Sequence, residues 1–130
     1  LRSVQSRGFL QSLRCGNGEA CVQAVNWRID KTRDGKWHEY HIFQDEDIVI
    51  YAKWKLHPDG NAELHNDIFK TSKSVLVEAR RVFHEVVRPD MRNAGVQRIV
   101  VVNTKEAAAG KMVRYWSFMG FTYLCGIMEA

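Results

Sequence analysis

Three runs between Trp37 and Phe69, WHEYHIFQ, IVIYAKWKLH and NAELHNDIF, are rich in β-branched and aromatic residues and are separated by the turn signals DED and HPDG. Such runs predict strands, and three in succession with short connections predict an antiparallel meander. In the second run Ile50, Ala52 and Trp54 alternate with Lys53 and Lys55, so one face of the meander is expected to be wetter than the other. Upstream the pattern is less regular. SVQSRGFLQSLR reads as a short helix broken by CGNG. GEACVQAVNWRI carries Cys21, Ala24, Val25 and Ile29 at helical spacing and reads as a helix, although it would also pass as a strand. TRDG, at 32–35, is a turn.

After the meander the period changes to that of a helix. KTSKS opens it, and Val75, Ala79, Val82, Phe83 and Val86 make one apolar face. Pro89 interrupts the pattern and Gly95 marks the turn out. VQRIVVV is nearly all apolar, as expected of a central strand covered on both faces. A second helix sets Ala108, Met112, Tyr115, Trp116 and Met119 on one side and ends at Gly120, and FTYLCGIM is the closing strand. The expected order is β-β-β-α-β-α-β, an α/β fold of the layered α+β kind built on a mixed sheet. Residues 1–130 are expected to form a single domain, with 1–36 its poorly defined N-terminal part.

A hydrophobic content of 45% with 26% charge belongs to a globular chain rather than a disordered one. No apolar run reaches the ~20 residues that a bilayer span needs. The amino terminus shows no secretion signal, and a start at Leu1 rather than Met leaves room for an upstream segment. Cys15, Cys21 and Cys125 are odd in number and lack CxxC spacing, which favours a reducing compartment and leaves a Cys15–Cys21 bridge open. The net charge of +4 is spread along the chain with acids between the cations, so nucleic acid is disfavoured as a partner. His38, His41, His57, His65 and His84 do not fall at metal-ligand spacings, and no metal is expected.

Two groups of residues carry candidate chemistry. Glu63 and His65 share one face of a strand, because side chains alternate with period two; they form either a general base for an amine or a polar pair on a wet face. Lys70, Ser72, Lys73 and Ser74 lie at a helix start, where dipole, amides and ammonium groups suit an anion and where Ser72 or Ser74 can equally serve as N-cap. Trp37, Trp54, Trp116, Tyr40, Tyr51 and Tyr115 are expected mostly in the core, with some available to a protein partner.

The element order from about residue 37 onward, with the helix-to-Gly120-Phe121 junction, resembles the second half of the GNAT (acyl-CoA N-acyltransferase) fold. In that family the strand after the meander leads into a loop reading roughly P-x-x-R-G-x-G, whose amides hold the pyrophosphate of acyl-coenzyme A. The last helix reads roughly N-x-x-A-x-x-L-Y-x-x-x-G-F, with the tyrosine often protonating the departing thiolate. The resemblance is nearest to divergent bacteriophage-encoded GNAT-like proteins, some of them virion or head-assembly components, in which a Glu-x-His pair precedes the loop as Glu63-Leu64-His65 does here. The departures are specific. The loop's proline and arginine fall on Lys70 and Lys73, its glycines on Ser74 and Leu76, and the helix's asparagine and tyrosine on Ala109 and Trp116. Asn103 and Thr104 lie too early for the asparagine, and Tyr115 neighbours the acid position about 100° around the helix.

The resemblance therefore implies an acetyltransferase-like protein with an eroded acyl-CoA site, a pseudoenzyme acting through protein–protein interaction. Its expected setting is the host cytoplasm or the virion, with virion components or its own copies as partners. The alternative is an active acyl-CoA-dependent N-acetyltransferase with acetyl-CoA bound at Lys70, Ser72, Lys73 and Ser74, Glu63 or His65 as base, and Tyr115 as acid.

Overall fold

A computed structural model describes residues 3–14, 20–102, 109–123 and 127–129. The fold is mixed α+β. Its strands are β1 (Ser3–Arg14), β2 (Ala20–Asp34), β3 (Trp37–Gln44), β4 (Asp47–Leu56), β5 (Asn61–Ile68), β6 (Arg98–Val102), β7 (Thr122–Tyr123) and β8 (Ile127–Glu129). They form one sheet in the order β1-β2-β3-β4-β5-β6-β8-β7. Pairing is antiparallel throughout except between β5 and β6, which run parallel from Asn61↔Arg98 to Glu63↔Val100. The crossover between those two strands is helical, comprising α1 (Lys73–Val82), a π-helical turn (Phe83–Val87) and α2 (Arg88–Asn93). The last helix, α3 (Ala109–Phe118), joins β6 to β7.

The meander strands lie where their sequence pattern puts them, but the N-terminal portion does not. The helices expected within residues 1–36 are the strands β1 and β2. In β2, Val25, Trp27 and Ile29 are buried while Asn26 is exposed and Arg28 half-buried, a period of two that the helical spacing of Cys21, Ala24 and Val25 conceals. Pairing on both sides over Trp27–Lys31 decides the outcome, since strand preference depends on neighbours more than on local propensity. The turn falls at Gly35–Lys36, just after the TRD of the expected one. At the other end, FTYLCGIM is two short antiparallel strands, β7 and β8, rather than one.

Pro89 does not end its helix. Proline has no N–H to donate, and its ring crowds the carbonyl four residues back. The chain widens into the π turn immediately before it, where Arg88 N–H donates to Phe83 O, five residues back. The helical path then continues to Asn93. Its end at Gly95 and the end of α3 at Gly120 share one geometry. Val96 N–H donates to Met91 O and Phe121 N–H to Trp116 O, each closing over a glycine of positive φ, 91° and 101°.

The helices cover one face of the sheet. Tyr40, Ile42, Ile50, Ala52 and Leu64 meet Ala79, Val82, Phe83, Val87, Trp116 and Met119 around a cavity of about 20 Å3. A polar anchor joins the layers. Trp54 Nε1–H donates to Tyr40 Oη at 3.0 Å, Tyr40 O–H donates to Asp90 Oδ2 at 2.9 Å, and Lys31 Nζ pairs with the same oxygen at 3.0 Å. The opposite face carries Trp37, Glu39 and His41 of β3, Tyr51, Lys53 and Lys55 of β4, and Glu63, His65 and Asp67 of β5, aligned by register. None of these is fully buried. This is the wetter face that the lysine alternation predicts.

Candidate functional site

Glu63 and His65 stand on the open face of β5, because the residues between and beside them, Ala62 and Leu64, turn to the helices and are buried. Glu63 is held from two sides. Its Oε2 lies 2.5 Å from His65 Nε2 and its Oε1 lies 3.0 Å from His57 Nε2. The hydrogen bond from His65, followed by that from His57 and the charge of Lys55, keeps the carboxyl below the ordinary carboxylate range against an opposing effect of burial. A carboxylate with a depressed pKa and both oxygens engaged is a poor proton acceptor near neutrality. Trp37 meets the His65 ring edge-on at 5.5 Å, and Lys53 and Lys55 sit 4.5 and 4.7 Å over the Trp37 ring. His57 is the member that the sequence pattern did not place with the pair; it sits across the HPDG turn, which His57 N–H closes by donating to Asn61 O.

Tyr115 lies on the other side of the sheet. Asn66, on the helix-facing side of β5, donates from Nδ2 to Tyr115 Oη at 2.6 Å. Burial pushes the phenol well above its ordinary range, so it stays protonated across the physiological interval. Trp116, which the sequence resemblance sets against a tyrosine, is 1% exposed and packs edge-on against Tyr115 and Phe121 with centroids 5.0 and 4.9 Å away. An indole N–H cannot protonate a thiolate. Asn66 also escaped the sequence reading, although a polar residue in the series Ala62, Leu64, Asn66, Ile68 was the available signal.

Lys70, Ser72, Lys73 and Ser74 do gather where β5 passes into α1. Ser72 is the N-cap, its Oγ accepting from Val75 N–H at 3.4 Å and lying 3.2 Å from Ser74 Oγ. Lys70 is drawn aside, donating from Nζ to Gln44 Oε1 at 2.9 Å. Lys73 is exposed in the first turn, which holds no acidic residue. The dipole and the remaining first-turn amides leave this end electropositive. Ala109, which the sequence resemblance sets against an asparagine, begins α3, whereas Asn103 and Thr104 lie outside the described residues.

The structure thus divides the candidates. Glu63 and His65 are together on one face, Tyr115 is on the other, and the Lys70–Ser74 group is at the head of α1. Among the described residues no set of three or more His, Cys, Asp or Glu side chains is arranged to hold a metal ion. Nor is any helix of the described residues long and apolar enough to cross a membrane. No family model matches the chain, and no curated protein matches it.

Proposed function

We propose that the chain is a GNAT-like protein whose acyl-CoA site is eroded, and that it serves as a protein-binding component of the structural or assembly kind that phages encode. The observation that carries the reading is the division of its would-be catalytic groups by the sheet. Acyl transfer to an amine needs a base at the nucleophile and an acid at the leaving group, both within hydrogen-bond reach of one reacting centre. Glu63 and His65 on the open face and Tyr115 under the helices do not share a centre. Each is already committed, Glu63 to two imidazoles and Tyr115 to Asn66.

The cofactor end supports the same reading. Where the family loop brings glycine amides against a pyrophosphate, this chain has Ser74 and Leu76, whose Cβ atoms stand in the way, and Ser72 takes one first-turn amide for itself. After the meander come a helical crossover, a strand, a helix and two short strands, which is near the α-β-α-β order on which the resemblance rests, with the closing strand split in two.

An active N-acetyltransferase is the second reading, and one observation favours it. Among the described residues the parallel pairing stops at Glu63↔Val100 while β5 runs on to Ile68, so no described residue of β6 pairs with β5 beside Asn66 and Tyr115. Calorimetric titration with acetyl-CoA decides between the two. The expected result is no heat up to millimolar ligand. Saturable micromolar binding that a Lys73→Glu, Ser74→Glu double variant abolishes overturns the eroded-site reading.

A further inference from the structure

β1 is the outer strand of the sheet, and among the described residues β2 is its only strand neighbour. Along its 12 residues every second one turns its N–H and C=O away from β2, a ready template for another strand. Of the features that usually blunt such an edge, SVQSRGFLQSLR has only the charges of Arg7 and Arg14 and no proline, lysine or acid. Val4, Ser6 and Gly8 are exposed.

A second observation concerns support. β2 pairs with β1 from Ala20 onward, but meets β3 only from Trp27↔Gln44. The pairs from Leu10↔Ala24 to Arg14↔Ala20 therefore form a two-stranded arm reaching past β3, rooted where Asp45 holds Asn26 and Val25 joins the core. Two strands alone are marginal in water, and a third is needed for a stable ribbon.

We propose that β1 pairs antiparallel with β1 of a second copy of this chain, about a two-fold axis perpendicular to the sheet at Phe9. Such an axis keeps each sheet face on its own side, so directly opposed residues must have the same parity. With Phe9 opposite itself, Gly8 faces Leu10, Arg7 faces Gln11, Ser6 faces Ser12, Gln5 faces Leu13 and Val4 faces Arg14. Each arm then lies along the root of the other copy's β1, where β2 and β3 back that strand, and gains the third strand it lacks. The two cations of β1 oppose a neutral amide and an aliphatic residue, so no like charges meet. A strand from another protein would give one arm a third strand, whereas a second copy supports both arms at once, each with a strand already backed by β2 and β3, which is why a second copy is the occupant. The pairing does not depend on whether the chain binds acyl-CoA.

Sedimentation equilibrium of the full chain tests the proposal, with a reversible monomer–dimer equilibrium as the expected result. Gln11→Glu places an acid opposite Arg7 twice per dimer and tightens association by about three- to tenfold; Gln11→Lys weakens it by a similar factor. Within a protomer position 11 faces Gln23, a neutral residue, so both variants keep the monomer fold, which circular dichroism verifies. A wild-type chain that stays monomeric up to about 100 μM overturns the proposal. So does a dimer whose dissociation constant neither variant moves.

Discussion

Tyr115 and Asn66 are a half-buried pair whose members depend on each other. Asn66 Nδ2 has the phenol oxygen as its acceptor, while Asn66 Oδ1 has no hydrogen-bond partner among the described residues. Removing the phenol leaves the amide without its acceptor in an apolar setting. Tyr115→Phe is therefore expected to cost about 1–3 kcal/mol of stability in urea unfolding. Replacing Asn66 by leucine in that background removes the orphaned polar group, and most of the loss returns. If Asn66→Leu adds to the loss instead, the amide is satisfied by something other than Tyr115. Glu63 gives the contrasting, solvent-facing case. Its folded pKa is depressed by His65 and His57, so its contribution to stability is present above the ordinary carboxylate pKa of about 4.3 and fades as pH falls below it. The group is partly exposed, and the contribution is at most about 1 kcal/mol. Denaturation midpoints measured from neutrality down into the acid range are expected to fall less steeply for Glu63→Gln than for wild type. Equal slopes would mean that the two imidazoles do not hold the carboxylate in solution.

The two long connections of the fold end on the same device, a glycine of positive φ closing a helix, and this sets a matched pair of expectations. At Gly95 no other atom crowds an added Cβ, and at Gly120 the nearest is His84 Cε1 at 3.8 Å, so space is ample at both and conformation alone opposes a side chain. Gly95→Ala and Gly120→Ala are each expected to lower stability by about 1–2 kcal/mol in thermal or urea unfolding. Unchanged stability would show that the chain leaves these helices by another route. Both glycines are legible in the sequence, because glycine at a helix end has a local cause. So are the meander strands, whose alternation of Ile50, Ala52 and Trp54 with Lys53 and Lys55 is a local signal of a half-buried sheet. What escapes is non-local. The stretch GEACVQAVNWRI carries a helical spacing of apolar groups, yet β1 and β3 impose a strand over Ala20–Asp34. Pro89 reads as a stop, yet the π turn before it lets the helix pass. At the candidate site, strand parity links Glu63 to His65, whereas His57 and Asn66 join their partners across a turn and across layers, where no single window of sequence shows them.

For the whole molecule the decisive feature is that the sheet separates two polar groups that a single catalytic site would have to unite. The open face holds Glu63, His57 and His65 with Trp37 and its lysines; the helix-covered face holds Tyr115, Asn66 and the buried Trp116. Among the described residues no hydrogen-bond partner is common to the two sets. Energetic coupling requires contact, a shared network or a shared cavity, and residues without these add within about 0.3–0.5 kcal/mol. A double-mutant cycle on Glu63→Gln and Tyr115→Phe is therefore expected to close within that limit in urea unfolding. Members of one working site depart from additivity by about 0.5–3 kcal/mol. Repeating the cycle with millimolar acetyl-CoA present extends the test from architecture to function. A ligand bridging both groups would stabilise the wild type and raise the coupling energy, because each substitution would then remove part of the same interaction. An unchanged cycle is what a sheet dividing two independent polar clusters requires.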